Sequence, residues 1–180
     1  ITAPFLFKEL FSIHNKKIED YITLKPLNTW YRFVYSDGSY FDYEKSIEKT
    51  ISNMKKINEI DSKNYKKLLE KSKDIYDLAF CKLADQPFHK LSTMVKQIPF
   101  LLKFKSYESV YKFTSKYLKS EKLRRAFSIQ PLLVGGNPFD TTCIYSLIHY
   151  LERAHGVYFA MGGTGNLVKA LSKLMQGSHV

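Results

Sequence analysis

Two glycine-bearing stretches carry the residue types that chemistry at a backbone surface needs. Met161-Gly162-Gly163-Thr164-Gly165 follows a short strand-like run, Val157-Tyr158-Phe159, and precedes a helical pattern over 166–175 (Leu167, Val168, Leu171, Leu174, Met175). A strand, a glycine turn and a helix start bring backbone N–H groups and a positive dipole end together, where an anion or a flat ring can sit. A tight turn with a capping Thr164 accounts for the same residues. Gly135-Gly136-Asn137-Pro138 is similar: its glycines allow close backbone approach or positive φ, and a plain loop is the competing reading. There is no G-x-G-x-x-G and no P-loop, so the chain shows no nucleotide phosphate cradle of its own. His149 and His155 have no carboxylate at ligand spacing, and His14, His89 and the terminal His179 stand apart, so no metal site is expected. Ser, His and Asp occur without a nucleophile-elbow pattern, which gives hydrolysis no support. No catalytic residue is identifiable on type and spacing.

Charge points elsewhere. The chain has 180 residues, Lys+Arg 28 against Asp+Glu 17, and a net charge of +11. Much of that excess lies in residues 89–125, where Lys90, Lys96, Lys103, Lys105, Lys112, Lys116, Lys119, Lys122, Arg124 and Arg125 face only Glu108 and Glu121. Aromatic and aliphatic residues interleave with them, the pattern of a surface that docks on anionic lipid while lysines snorkel. Lys96, Phe100, Leu101, Leu102, Lys103, Phe104 and Lys105 are the expected membrane contacts. An ordinary helix pair with a solvated lysine face is the bland alternative. Nucleic-acid binding is disfavoured by the missing motifs and the acidic residues of 50–80. No run of about 18 uncharged apolar residues exists, which excludes a transmembrane helix. Two cysteines, Cys81 and Cys143, exclude a disulfide framework or a Cys-based zinc site and suit a reducing, intracellular setting. A chain opening on Ile1 reads as a piece of a longer protein.

The elements that must position these stretches follow from periodicity. Residues 4–14 read as a short helix with Pro4 in its first turn. Residues 21–43 read as strands, with Asp37-Gly38 turning Trp30–Tyr35 onto Tyr40–Tyr43. Ile47, Ile51, Met54 and Ile57 mark a helix over 44–58, and Asp61 is a plausible N-cap for a longer one through about Leu83. Ser92 or Thr93, Ser106 and Ser120 are expected to start further helices, with Pro99 kinking or breaking the first. Thr141 or Thr142 opens another over 141–154. The class is α+β: mainly helices packed on a small antiparallel sheet.

Ser128-Ile129-Gln130-Pro131-Leu132-Leu133-Val134-Gly135-Gly136-Asn137-Pro138-Phe139 resembles a signature of the bacterial- and fungal-type phytoene desaturases, of the flavin amine-oxidase-like superfamily. So do Ile144–Arg153, Gly156–Gly165, the upstream Leu101–Lys119 and Leu123–Ser128, and Trp30-Tyr31-Arg32-Phe33 with its hairpin. The resemblance implies the middle of a two-domain FAD-dependent oxidoreductase, its dinucleotide-binding unit preceding Ile1 and a second flavin segment following Val180. It divides the chain into a β-hairpin region (20–43), a helical region (44–127) and a glycine-rich tunnel and flavin-facing region (128–176).

By that resemblance Gly162, Gly163, Thr164 and Gly165 lie near the flavin. Leu132, Val134, Gly135, Gly136, Asn137, Pro138 and Phe139 line the passage for phytoene or a related long carotenoid precursor. The implied activity removes hydride equivalents to form conjugated double bonds, in a cytoplasmic protein held peripherally on the membrane. A non-catalytic basic membrane-binding helical module is the alternative. One departure stands out: where many members carry an acid and an arginine after a Pro-Phe pair, this chain has Thr93 and Lys96 after Pro87-Phe88, and Lys96 lacks a bidentate fork.

Overall fold

The computed structural model describes residues 1–83 and 95–176. The Ser92 or Thr93 cap, Thr93 itself, Pro87-Phe88 and the last four residues lie outside the described residues. Helix α1 (Pro4–Ile13) opens on proline, whose missing N–H costs nothing in a first turn. Strand β1 (Leu24–Pro26) follows, then β2 (Thr29–Val34) and β3 (Tyr40–Glu44), and helices α2 (Ile47–Lys55) and α3 (Glu59–Ala79). Beyond the undescribed stretch come α4 (Ile98–Lys103), α5 (Val110–Ser115) and α6 (Glu121–Ala126). Two 3₁₀ turns (Gln130–Val134 and Cys143–Ser146), α7 (Leu147–His155), β4 (Tyr158–Ala160) and α8 (Thr164–Gln176) complete the order.

The α+β class holds, with helices around two separate two-stranded antiparallel sheets. β2 and β3 form the expected hairpin, Val34 opposite Tyr40. Its turn is the three residues 36–38, closed by the Tyr35 N–H on the Ser39 carbonyl at 2.9 Å, with Gly38 at φ +78°. β1 does not join the hairpin. It pairs with β4, Leu24 opposite Ala160, so the 20–43 region splits between two sheets. A three-residue strand has no means to choose its partner locally, and here the partner is a segment more than a hundred residues away.

The main core gathers Trp30, Phe41, Tyr43, Met54, Tyr65, Leu68, Ile75, Phe113, Leu123 and Phe127 from the hairpin and the helices. A smaller core (Phe11, Ile18, Ile22, Ala160, Leu167, Ala170, Leu174) joins α1, β4 and α8.

Two helix starts differ from the periodicity reading. Asn58 caps α3, its side chain accepting from the Asp61 N–H at 3.0 Å. Asp61 is instead fully buried, and its carboxylate accepts the Lys119 and Ser120 N–H groups at 2.7 Å each, clamping the entry to α6. α5 starts after Ser109, whose Oγ accepts from the Lys112 N–H. Ser106 cannot start it, because its carbonyl is held by the Thr142 hydroxyl at 2.6 Å and Lys105 before it sits at φ +50°. The expected break at Pro99 is present: a turn at Gln97 separates the helical residues 95–96 from α4, and Pro99 sits in the first turn of α4, where no N–H is needed.

Candidate functional site

The first glycine turn is built by a proline and two glycines with different duties. Pro131 fixes the start of the 3₁₀ segment, and Gly135 ends it at φ +74°, which a side chain would strain. Gly136 packs so closely that a Cβ there would stand 2.6 Å from Thr141 Oγ1. Asn137 locks the loop beyond, its Oδ1 accepting from the Phe139 N–H at 3.0 Å and its Nδ2 donating to Asp140 at 2.6 Å. The turn leaves an apolar edge in the open, Leu132 61 %, Val134 57 % and Phe139 57 % exposed, with Leu133 beside them. A cleft of 390 Å³ under this edge is lined by Tyr111, Arg125, Ser128, Leu132, Pro138 and Phe139 among others. Of the seven residues expected along the passage, Leu132, Pro138 and Phe139 line it. Val134 lies on the same edge, while Gly135, Gly136 and Asn137 shape the loop from behind.

The second turn is as compact. Gly162 and Gly163 both take positive φ, +80° and +85°. The space a side chain would need at Gly162 is filled by Asn166, 1.9 Å from the Cβ position, and Asn166 Nδ2 donates to the Met161 carbonyl. Gly163 and Gly165 have no atom within 4 Å of their Cβ positions. Space is therefore open beside Gly163 and Gly165 at the start of α8, and Gly162 serves the turn itself. A cleft of 450 Å³ beside it is lined by Tyr21, Met161, Asn166, Lys169 and Lys173 among others. Among the described residues, neither cleft is lined by residues of the other turn.

The expected membrane contacts divide. Phe100 and Phe104 stand one helical turn apart and point inward, ring centroids 4.9 Å from each other, with Phe100 only 9 % exposed and Phe104 against the main core. Phe100 is buried and Phe104 half-buried, so neither ring stands on the outer face with Leu101 and Leu102. Leu101, Leu102 (63 % exposed), Lys96, Lys103 and Lys105 face outward, with Tyr107 at 74 %. Farther along the basic run, Lys116 pairs with Glu108, Lys122 with Asp37, and Arg124 and Arg125 with Glu121. Among the described residues no ion pair engages Lys96, Lys103 or Lys105, so unpaired charge flanks Leu101 and Leu102, as it also does at Lys112 and Lys119 farther along. Among the described residues no helix is long and apolar enough to cross a membrane.

Sequence reasoning missed a buried polar cluster on α7. Arg153 lies over the Trp30 and Tyr43 rings at 4.7 and 4.3 Å. It donates to the Tyr65 hydroxyl, the Glu44 and Lys45 carbonyls and Thr50 Oγ1. His149 Nδ1 shares a 2.9 Å hydrogen bond with the Tyr43 hydroxyl, and its Nε2 is buried without a partner. Burial, with Arg153 nearby, pushes the imidazole down to about 3, so the ring is neutral. Glu152 accepts the Tyr31 hydroxyl at 2.6 Å. Burial pushes its carboxyl up to about 7, against the pull of that hydrogen bond and of Arg153. Tyr31 is raised in turn by its own burial and by Glu152. The signal was a polar stripe: Cys143, Ser146, His149 and Glu152 recur every three residues and are all buried.

No family model matches the chain. Individual relatives do. It is 38 % identical over 176 residues to phytoene desaturase (lycopene-forming) of Pantoea ananas, covering 98 % of this chain and 36 % of that protein. It is 30 % identical to phytoene desaturase (neurosporene-forming) of Cereibacter sphaeroides, covering 98 % of this chain and 34 % of the relative. It is also 30 % identical to 4,4'-diapolycopen-4-al dehydrogenase of Metabacillus indicus, covering 99 % and 37 %. The chain thus spans about a third of the length of the curated relatives it matches.

Proposed function

The chain belongs to the phytoene desaturase family as a partial segment of it, and from that premise we propose that the whole polypeptide is a flavin-dependent carotenoid desaturase. In it this segment receives a long apolar precursor of the phytoene class. The observation that carries the reading is the joint between the two exposed apolar surfaces. The Val110 and Tyr111 N–H groups donate to the Thr141 and Pro138 carbonyls. The Cys143 N–H donates to the Glu108 carbonyl, and Thr142 Oγ1 to the Ser106 carbonyl. The lysine-flanked Leu101–Leu102 surface and the Leu132–Phe139 edge are therefore one mechanical unit. An oily chain taken up at the first meets a preformed apolar edge at the second.

In this reading Leu101, Leu102, Lys103 and Lys105 rest on anionic lipid, each lysine near the surface contributing about 1 kcal/mol. Leu132, Val134, Pro138 and Phe139 align the substrate and exclude water, and Gly163, Thr164 and Gly165 lie against FAD. When bound, FAD supplies a two-electron acceptor for C–H oxidation. The apolar edge offers the substrate no polar competitor, so alignment there rests on shape and burial.

The test is expression of the full-length polypeptide in cells that make phytoene, with pigments read by absorbance and the purified protein by its flavin spectrum. Coloured polyene and a yellow protein are expected. Colourless product, no flavin and salt-sensitive liposome binding together would leave the non-catalytic membrane module standing instead.

A further inference from the structure

Directly under the exposed edge lies a small space of 10 Å³, lined by Tyr31 and Phe33 of β2, Ile129, Gln130 and Leu133 at the 3₁₀ segment, and Glu152 of α7 among others. That volume holds about one water molecule, and a water needs two or more polar partners to stay. Three are present: the Glu152 carboxyl, the Tyr31 hydroxyl, and Gln130 Oε1, which is buried and has no hydrogen-bond partner within the protein. We propose that Glu152, hydrogen-bonded by Tyr31 and linked through one buried water to Gln130, accepts the proton released when substrate is oxidised at the Leu132–Val134 edge. The inference rests on the desaturase reading given above.

The atoms balance simply. Forming a C=C bond from two neighbouring C–H groups breaks both C–H bonds. One hydrogen leaves with its electron pair for the flavin. The other leaves as a proton, and its electron pair becomes the π bond. That proton needs a base. Leu132, Leu133, Val134 and Phe139 are apolar, and the carboxylate on their loop, Asp140, stands exposed, accepts from Asn137 Nδ2 and does not line the space. The charged and titratable groups facing Glu152 narrow the choice. Arg153 on its own helix is a cation engaged with Thr50, Tyr65 and two carbonyls. His149 is held neutral but is a weak base in its buried setting. Tyr43 and Tyr65 are phenols pushed upward by burial, and the Ile1 amino group is bonded to the Tyr158 carbonyl. The Glu152 carboxylate is the remaining acceptor. A carboxyl that ionises near neutral pH can take a proton and return it between turnovers. The half-buried Tyr31 hydroxyl is the way out.

The test uses the flavin-loaded full-length polypeptide mixed anaerobically with phytoene in liposomes, with flavin bleaching followed from about pH 5 to about pH 9. The bleaching rate is expected to fall about tenfold per pH unit below about 7. Glu152→Gln abolishes that limb and slows bleaching by about 100-fold or more, and Glu152→Asp restores part of the rate. Tyr31→Phe removes a donor that favours the ionised form, so it moves the limb to higher pH. A limb that survives Glu152→Gln, or that Tyr31→Phe leaves in place or moves down, overturns the inference.

Should Glu152→Gln bleach nothing, the Tyr31→Phe limb decides. A second readout needs no turnover: an infrared carboxylic-acid band titrating near 7 in the parent and missing from Glu152→Gln. A Glu152 already ionised at about pH 5 overturns the inference by itself. If the parent protein bleaches nothing while that band titrates as stated, it is the desaturase reading that fails.

Discussion

Asp61→Asn separates two accounts of one buried carboxylate. As a helix N-cap, Asp could be replaced by Asn at almost no cost, because the two cap about equally well. As a clamp on a distant helix entry it could not. The carboxylate accepts two N–H groups, Lys119 and Ser120, each at 2.7 Å, with no solvent access. Asn offers one oxygen and turns an NH₂ group toward the other donor. One hydrogen bond to a charged acceptor is lost, worth about 1.5–3 kcal/mol, and a buried N–H is left unpaired at about 1–3 kcal/mol. The sum is about 2.5–6 kcal/mol, a large fraction of the ~5–15 kcal/mol that holds a typical domain. Asn58→Ala, which removes the side chain that does cap α3, should cost about 1 kcal/mol. Trp30, buried in the main core and the single tryptophan, reports unfolding by fluorescence in a urea titration of the folded protein. The expected order is Asp61→Asn well below Asn58→Ala in midpoint, with a melting point about 10 °C lower than the parent. If Asp61→Asn unfolds with the parent, or later than Asn58→Ala, the clamp is not what holds α6.

Further outcomes follow from the same geometry. Gly162→Ala meets Asn166 and a positive φ together, so it should cost about 2 kcal/mol in chemical denaturation, and adding Asn166→Ala should restore a measurable part. Leu102→Glu should weaken sedimentation with anionic liposomes while leaving the urea midpoint nearly unchanged, whereas Phe100→Ala should do the reverse, destabilising by about 3 kcal/mol through an inward ring. Glu152, raised to about 7, contributes stability fully present below about 4.5 and lost as pH rises through 7, while His149, lowered to about 3, contributes stability present above about 6.5 and lost as pH falls. The two slopes oppose each other between about 4.5 and 6.5, so Glu152→Gln should expose a loss approaching about 1.4 kcal/mol per pH unit on acidification there; a parent and variant with parallel pH–stability curves would refute it.

The parts of the fold legible in the sequence were those whose signal is local. Asp37-Gly38 marked the hairpin, Pro4 the first helix, Thr142 the turn before α7, and Ser120 the start of α6. The partner of β1 was not legible, because Leu24–Pro26 is too short for its alternation to say which strand it meets. Asp61 was misread for a related reason. Its residue type and place before a helical pattern fit a cap, and nothing nearby in sequence shows that its true partners are 58 and 59 residues away.

The same limit explains the candidate site. The glycine turns announce themselves through residue types that few conformations need. The buried stripe of α7 hides, because a helix is expected to turn polar residues outward, and Ser146, His149 and Glu152 turn inward. What reverses the rule is the partner face. Tyr31, Tyr43 and Tyr65 arrive from β2, β3 and α3 with hydroxyls that need partners inside a core. His149, Glu152 and Arg153 supply those partners to Tyr43, Tyr31 and Tyr65 respectively. A core rich in tyrosine thus selects for polar residues on the helix it packs against. Each such pair ties α7 to a separate element, so the helix that underlies the Leu132–Val134 edge is fixed in position by hydrogen bonds as well as by packing. That makes Tyr31→Phe the sharper probe: it removes one oxygen and keeps the ring, so an effect confined to the ionisation of Glu152 belongs to the proton and not to the fold.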